Sequence, residues 1–363
     1  MSLITMRAAI LDQPGKPMTI RDARIREPRH GEVLIRTASV GICGTDLHFA
    51  RGLFPYPMPT ILGHEAAGTV ERTGPGVTAV QPGDRVLVCD QMPCGQCGPC
   101  LTGKMVYCTD TTARQRQHDR LYLDGTPIRQ YIGVSALAEL MLVDQSGVIP
   151  VTGGLSFHAA ALLGCCLTTG TAAVFNTARL RPGQIALIIG CGGVGLGAVQ
   201  AARIAGAAAI IAADPEEHRR QAAASLGATR TINPAHHDIA ESVREATGGR
   251  GADIAIEAVG DPALAAAAFA ALAPAGKAIV VGLMPPDSQI PVPASLLRHG
   301  RSITGSVMGE VRTLHDIPIY QQLVATGQML ADQLVTSSWS LNEINAAFSN
   351  TEARHGIRSV IEF

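Results

Sequence analysis

Four cysteines, Cys94, Cys97, Cys100 and Cys108, fall within one short loop that is rich in Pro and Gly. Four thiolates at this spacing suit a closed tetrahedral zinc site. Such a site stabilises its loop but performs no chemistry, because it has no open coordination position. Short Cys-x-x-Cys spacings also let backbone N–H groups turn toward the sulfurs. An iron–sulfur cluster is the competing use of a thiolate quartet, and four unrelated thiols are the bland one. A nucleic-acid-binding zinc ribbon fits less well, for want of a second, separated pair of Cys-x-x-Cys knuckles and of a basic flank.

A second set of metal-type side chains is scattered. Cys43 lies in the segment Gly41 to His48, His64 precedes Glu65, and two adjacent thiols, Cys165 and Cys166, follow much later. A catalytic zinc takes about three protein ligands and keeps one position open. Cys43, His64 and one of Cys165 or Cys166 would meet that need. Each residue alone has an ordinary use as a satisfied histidine or a core cysteine. The separation of 122 positions from Cys43 to Cys165 allows no judgement of geometry from the sequence.

The third pattern is Gly190-Cys-Gly-Gly-Val-Gly195, directly after the apolar run Ile185–Ile189 and before an Ala-rich stretch. In G-x-G-x-x-G the first glycine makes the turn, the second lets backbone approach a pyrophosphate, and the third allows close helix–strand packing. The new helix offers its N-terminal N–H groups to phosphate. The next apolar run ends at Asp214, whose carboxylate can accept hydrogen bonds from ribose hydroxyls and would repel a 2′-phosphate. That choice of residue points to NAD rather than NADP.

These residues need two kinds of scaffold. Up to about residue 153 the chain shows short apolar runs bounded by Pro-Gly turns, the punctuation of a small β-rich domain. From about Leu167 apolar runs alternate with Ala-rich stretches, which argues for a parallel α/β sheet. From about Met308 the character is mixed again. The 363 residues, 47% hydrophobic, fit two domains with full cores. A formal charge of -1 and 4% aromatics argue against nucleic acid or an anionic membrane as partner. No signal peptide or membrane span is read, so a cytoplasmic protein is expected, with reduced cysteines that bind metal.

Together the three patterns resemble the zinc-dependent medium-chain alcohol dehydrogenases, over nearly the whole chain. The motif Gly63-His64-Glu65-x-x-Gly68-x5-Gly74-x-x-Val77 is similar to that family's zinc signature, and Gly41 to His48 to its ligand and proton-relay segment. The stretches His118 to Leu142 and Pro285 to Gln289 resemble the long-insertion, animal-type branch. The resemblance implies an α/β protein: a GroES-like β-rich catalytic domain over 1-166 and 307-363, and a doubly wound parallel Rossmann domain over 167-306. It implies two zinc ions and one NAD per chain. Cys43, His64 and Cys165 would ligate the catalytic zinc, with Glu65 behind it and Asp46 orienting His64. Thr45 and His48 would relay a proton, with the cofactor ribose between them. Gly190, Gly192, Gly193 and Val194 would face the pyrophosphate, and Asp214 and Arg219 the adenosine ribose. Val281, Gly282 and Leu283 would line the nicotinamide ribose, and Arg358 would reach a phosphate.

The activity implied is reversible, NAD-linked oxidation of a primary alcohol to its aldehyde. A glutathione-adduct, polyol or amino-alcohol dehydrogenase of the same fold is the alternative, and a non-catalytic NAD-binding protein the alternative of another class. A homodimer is expected, paired through the edge strand Ser302–Met308, with a homotetramer left open. Two departures from the family stand out. Gly44 replaces a frequent Arg. Asp90 falls where relatives place an apolar pocket residue, although a one-residue shift would put Cys89 or Gln91 there instead.

Overall fold

The computed structural model describes residues 3–110 and 112–363. The chain divides into two compact units, Met1–Cys165 with Arg312–Phe363, and Cys166–Val311. Cys166 and residues 307–311, assigned to the first domain from sequence, group instead with the second. The turn Met308–Glu310 packs on the helix Cys166–Ala172. Gly309, with φ +65°, lies so close to Ala172 and Ala173 that no side chain would fit.

The first unit is built on two sheets. One has the order Val148–Pro150, Arg85–Val88, Glu65–Thr73, Glu32–Gly41, Arg358–Glu362, Val335–Ser340, with Leu140–Asp144 also paired to Glu32–Gly41. The other has the order Thr60–Ile61, Leu3–Leu11, Thr19–Arg26, Leu121–Leu123, Thr126–Ile128. The strand Glu32–Gly41 does most to place the chemistry. Its end, Gly41, sits opposite both Glu65 and Val360. Three distant pieces of sequence therefore meet there: the start of the Cys43 segment, the His64-Glu65 pair, and the C-terminal strand that begins at Arg358. Gly41 has to be glycine, because a Cβ would collide with the Glu65 carboxylate.

Beneath the strands lies a buried ionic group. Glu32, with no exposed surface, is gripped by Arg26 at 2.6 Å and Arg120 at 3.0 Å, both also buried. Burial opposes ionisation of Glu32, but the hydrogen bond from Arg26 and the charge of Arg120 overcome it and hold the carboxyl at about 2. The arrangement ties the 118–130 stretch to the two strands before it.

The second unit is a six-stranded parallel sheet with the order Arg230–Ile232, Ala209–Ala213, Ile185–Ile189, Ala252–Glu257, Leu272–Val280, Ser302–Gly305. Numbered along the chain this is 3-2-1-4-5-6, the doubly wound dinucleotide-binding order. The central strands are apolar at nearly every position because helices cover both faces. The strand expected to extend to Met308 ends at Gly305, where the chain turns away. No single helix among the described residues is long and apolar enough to cross a membrane.

Candidate active site

Cys43 caps the short helix Gly44–Ala50, and its N–H donates to Asp46 Oδ2 at 3.0 Å. Asp46 Oδ1 lies 3.1 Å from His64 Nδ1 and accepts the Gly63 N–H at 3.2 Å. An ionised carboxylate only accepts, so His64 carries its proton on Nδ1 and turns Nε2 away from Asp46. That nitrogen lies 3.4 Å from Cys165 Sγ. Cys165 closes the helix Phe157–Gly164, and Gly164 rests on the Val88 carbonyl where no side chain would fit. Ligand atoms of Cys43, His64 and Cys165 all lie within 4.8 Å of one another, and all three residues are buried. Cys166 is not part of the group.

The electrostatics of this trio suit a cation. A hydrogen bond from Cys165 holds the Cys43 thiol well below its ordinary range despite complete burial, and His64 adds to the effect. The same bond, together with burial, pushes Cys165 well up. Burial resists charging of His64, but Asp46 and Cys43 on either side of it raise it well above its ordinary value. Three buried groups thus share protons that a bound cation would displace. Two thiols and an imidazole at these distances fit a tetrahedral metal with one position to spare.

Around the trio, Glu65 is completely buried and bonded to Arg358. Arg358, expected at a phosphate, is thus held by a carboxylate, because pairing with Gly41 brings both strand ends together. Thr45 and His48 lie one turn apart on the same short helix, both half-buried. His48 Nδ1 is buried without a hydrogen-bond partner among the described residues. Burial lowers the His48 pKa, opposed by Cys43 and assisted by Arg51, so the ring is neutral and able to accept a proton. The edge of Phe54 faces it at 6.2 Å.

The four cysteines of the loop form a second donor group, again with sulfurs within 4.8 Å. Backbone N–H groups do turn toward sulfur, from Cys97 to Cys94 and from Cys94 to Cys108, each at 3.3 Å. Backbone donation from Cys100 and Thr109 brings the Cys97 thiol down to about 5, whereas burial takes Cys100 up to about 12. One stabilised thiolate among crowded sulfurs is the start of a metal quartet.

In the second unit, Gly190 takes φ +90° at the turn, Gly192 is open to its surroundings, and Gly195 touches the Gly190 carbonyl. Gly193 and Val194 begin the helix Gly193–Ile204, which has no side-chain cap to occupy its first N–H groups. Asp214 is buried and accepts N–H bonds from Cys191 at 2.8 Å and Glu216 at 2.9 Å, so it shapes the turn as well as facing it. Arg219 is half-buried nearby, and Arg220 folds its guanidinium onto the carbonyls of Asp214 and Pro215.

The sequence reading missed Glu257. Its Oε1 accepts N–H bonds from Val259 at 2.8 Å and Gly260 at 2.7 Å, and its carbonyl accepts those of Val281 and Gly282. It thereby fixes Val281, Gly282 and Leu283 against the neighbouring loop. An acid directly after the apolar run Ile254–Ile256 was the available signal. It missed Tyr131 as well, whose ring lies 6.1 Å from that of His64.

A parallel sheet in dinucleotide-binding order, a glycine turn at its centre, and a Cys-His-Cys trio in a separate β-rich unit define a two-domain dehydrogenase. Comparison with known proteins agrees. Residues 29–153 match the alcohol dehydrogenase GroES-like domain, and residues 193–326 match the zinc-binding dehydrogenase domain. The chain is 34% identical to putative alcohol dehydrogenase D of Mycobacterium tuberculosis, over 98% of both chains. It is 33% identical to S-(hydroxymethyl)glutathione dehydrogenase of Paracoccus denitrificans, over 98% of this chain and 99% of that one. The crystal structure of benzyl alcohol dehydrogenase from Acinetobacter calcoaceticus superposes with a TM-score of 0.93 at 31% identity, over 99% of this chain and 100% of that one. The chain belongs to the zinc-binding medium-chain alcohol dehydrogenase family, and is an oxidoreductase of that type.

Proposed function

We propose that the protein is a zinc-dependent alcohol dehydrogenase that oxidises a primary alcohol to its aldehyde, reversibly, with NAD. The observation that carries this reading is the buried Cys43, His64, Cys165 trio with Asp46 behind it. Two cysteines and a histidine are the set by which alcohol dehydrogenases hold catalytic zinc. A second zinc belongs to Cys94, Cys97, Cys100 and Cys108. When bound, the catalytic metal supplies Lewis acidity that favours loss of the alcohol proton.

The chain's own residues do the rest. Asp46 keeps His64 in the ligating tautomer. Glu65 is kept on Arg358 and at the back of the trio. The Thr45 hydroxyl receives the alcohol proton, and the neutral His48 ring passes it to solvent. The glycine turn and the uncapped helix start after it take the pyrophosphate, and Asp214 takes the adenosine ribose. NAD, when bound there, would supply the acceptor for the hydride. One observation favours NADP as the second reading, since Arg220 stands beside Asp214 and could meet a 2′-phosphate.

The similarity to S-(hydroxymethyl)glutathione dehydrogenase keeps a glutathione adduct as the alternative substrate. We propose that the chain falls in the long-insertion branch, because residues 121–128 supply two of the five strands of the smaller sheet. A homodimer through Ser302–Gly305 is proposed because this strand is the sheet's outer member and largely exposed. A cytoplasmic setting suits nine cysteines that are all unpaired.

The test is NAD reduction by zinc-loaded protein across primary, secondary and aromatic alcohols, with light scattering in parallel. Turnover with primary alcohols and a two-chain mass are expected. No turnover of any alcohol at full zinc loading would overturn the enzymatic reading, and a one-chain mass the dimer.

A further inference from the structure

The second unit holds a cavity of about 350 Å³ at the end of its sheet away from the glycine turn. It lies against the turn that leads into Ile185–Ile189 and against residues of Ala252–Glu257 and Leu272–Val280. The glycine turn follows the other end of Ile185–Ile189, about 13 Å away at the usual rise of a strand. A volume of this size takes a small metabolite rather than one or two waters.

The side chains around the cavity are donors. Those of Arg181 and Lys277 have no partner among the described residues. Arg179 gives its Nε to the Asn176 carbonyl at 3.3 Å, which leaves its two terminal nitrogens. Gln184 Oε1 accepts the Arg181 N–H at 2.8 Å, and the Arg181 carbonyl accepts the Gln184 N–H at 3.2 Å. That closes the turn and leaves the Gln184 amide N–H groups without a partner among the described residues. The lining's one carboxylate, Asp253, is already occupied at both oxygens. Oδ1 accepts from Arg250 at 2.5 Å, and Oδ2 accepts the Ile185 N–H at 2.8 Å.

Two of these cations sit where the fold alone would not put them. Lys277 is the only charged residue of Leu272–Val280 and is half-buried, although lysine is disfavoured in strands. Arg179 ends the helical turn Ala173–Ala178 with φ +55°, a left-handed position that Gly or Asn takes with less strain. Ala275, also in the lining, is left-handed at φ +62°. Such strain gathers at binding sites. In the ladder Ile254 lies between Ala186 and Lys277. The turn ending at Gln184 and the Lys277 strand therefore stand two strands apart, about 10 Å. That span suits a molecule with an anionic group at each end.

We propose that this cavity binds a small molecule with two or more oxyanion groups, a phosphate ester or a polycarboxylate, held by Arg179, Arg181 and Lys277 at a site separate from that of the dinucleotide. Ionised phosphate and carboxylate oxygens accept hydrogen bonds, which matches a lining of unpartnered donors. The two arginines grip an oxyanion through paired N–H groups, and Lys277 meets the other as a point charge. Because the cavity lies at the opposite end of Ile185–Ile189 from the glycine turn, its ligand does not displace NAD.

The experiment is calorimetric titration of the zinc-loaded full chain at constant ionic strength, with and without saturating NAD. The probes are fructose 1,6-bisphosphate, propane-1,2,3-tricarboxylate and inorganic phosphate. At least one of the first two should bind at one equivalent per chain, with NAD present as well as absent. Inorganic phosphate, which cannot span the cavity, should bind about tenfold or more weakly than the better of them. Tighter binding of the bisphosphate identifies a phosphate ester as the ligand, and tighter binding of the tricarboxylate a polycarboxylate. Arg181→Gln and Lys277→Met should each weaken binding by about tenfold or more, the scale of one charge-assisted hydrogen bond. Arg24→Gln removes the same charge from an exposed position in the first unit and should leave binding unchanged. No saturable binding of either large anion would overturn the site. So would binding that NAD abolishes and Arg181→Gln does not touch, which belongs to the glycine turn. Equal weakening by Arg24→Gln would also overturn it, by showing an effect of net charge alone. Melting curves establish that each variant is folded, and none of these readouts depends on turnover of an alcohol.

Discussion

Asp46→Asn should weaken the catalytic metal site and spare the structural one. Three donors converge on this single carboxylate: the Cys43 N–H at 3.0 Å, the Gly63 N–H at 3.2 Å and His64 Nδ1 at 3.1 Å. A carboxylate accepts them all. Asparagine has the same shape but only one accepting oxygen, so at least one donor must face its NH2 group. If the NH2 turns to His64, it donates to Nδ1 and moves the ring proton to Nε2, the nitrogen that faces Cys165. A ring protonated there cannot ligate. If the oxygen turns to His64 instead, the Cys43 N–H is left against a donor in a site with 1% exposure. A buried unpaired donor costs about 1–3 kcal/mol. That is roughly 10- to 100-fold, the loss in metal affinity usual when a residue supporting a ligand is removed. Chelator competition followed by elemental analysis should show one zinc lost about 10- to 100-fold more readily than in wild type, with the other retained. A circular dichroism spectrum and melting curve establish that the variant is folded. Two zinc ions held with wild-type resistance to chelator would refute the tautomer argument.

Four further outcomes follow from other contacts. Cys165→Ser should lose the same zinc, whereas Cys166→Ser should keep both, since only Cys165 joins the trio; elemental analysis decides. Asp214→Gly should lower the ratio of NAD to NADP efficiency by about 1–3 kcal/mol of discrimination, and should also lower the melting temperature because the Cys191 and Glu216 N–H groups lose their acceptor. Thr45→Ser should raise secondary over primary alcohol turnover by about 10-fold or somewhat more, the worth of one methyl in a crowded site, and an unchanged ratio in steady-state assays would exclude a steric role. Glu32 is held at about 2 against an ordinary 4.5. Its depressed folded value contributes stability above pH 4.5 that is lost as pH falls toward 2, about 3 kcal/mol at 1.36 kcal/mol per pH unit. Glu32→Gln should remove that part of the acid limb in a pH series of denaturant melts, while costing stability at neutral pH because Arg26 and Arg120 are left buried without their anion.

Much of the second unit was legible because its signals are local. The run Ile185–Ile189 is a strand as read, and the Ala-rich stretch after the glycines is the helix Gly193–Ile204. The glycines behave as their spacing requires, because a tight turn and a close helix–strand approach are decided within six residues. Longer elements were misjudged at their ends. The edge strand read as Ser302–Met308 stops at Gly305, and the strand Leu272–Val280 passes through Pro274 and Gly276. Its pairing to Ala252–Glu257 on one side and Ser302–Gly305 on the other holds it extended where local composition suggested a break.

The catalytic centre is the opposite case, because it is made of contacts far apart in sequence. The Cys-x-x-Cys quartet could be read outright, since a few residues of chain fix its geometry. Cys43, His64 and Cys165 could be proposed only by residue type and resemblance, since it takes the pairing of Gly41 with Glu65 and the seating of Gly164 on Val88 to bring them within 4.8 Å. Arg358 shows how a long-range pairing adds a contact that the resemblance did not include: the C-terminal strand pairs with Gly41, so its guanidinium lies on Glu65. Asp90 shows the gain in looking at its departures. A family pattern predicts an apolar residue there, and no spacing rule distinguishes Asp90 from Cys89 or Gln91. The fold does, because Cys89 and Gln91 are buried whereas Asp90 is half-exposed, with its Oδ1 accepting from Gln91 Nε2 at 3.3 Å. What the family shares is therefore held by metal donors and glycines that sequence can show, and what sets this chain apart is held by a strand end that only the fold can orient.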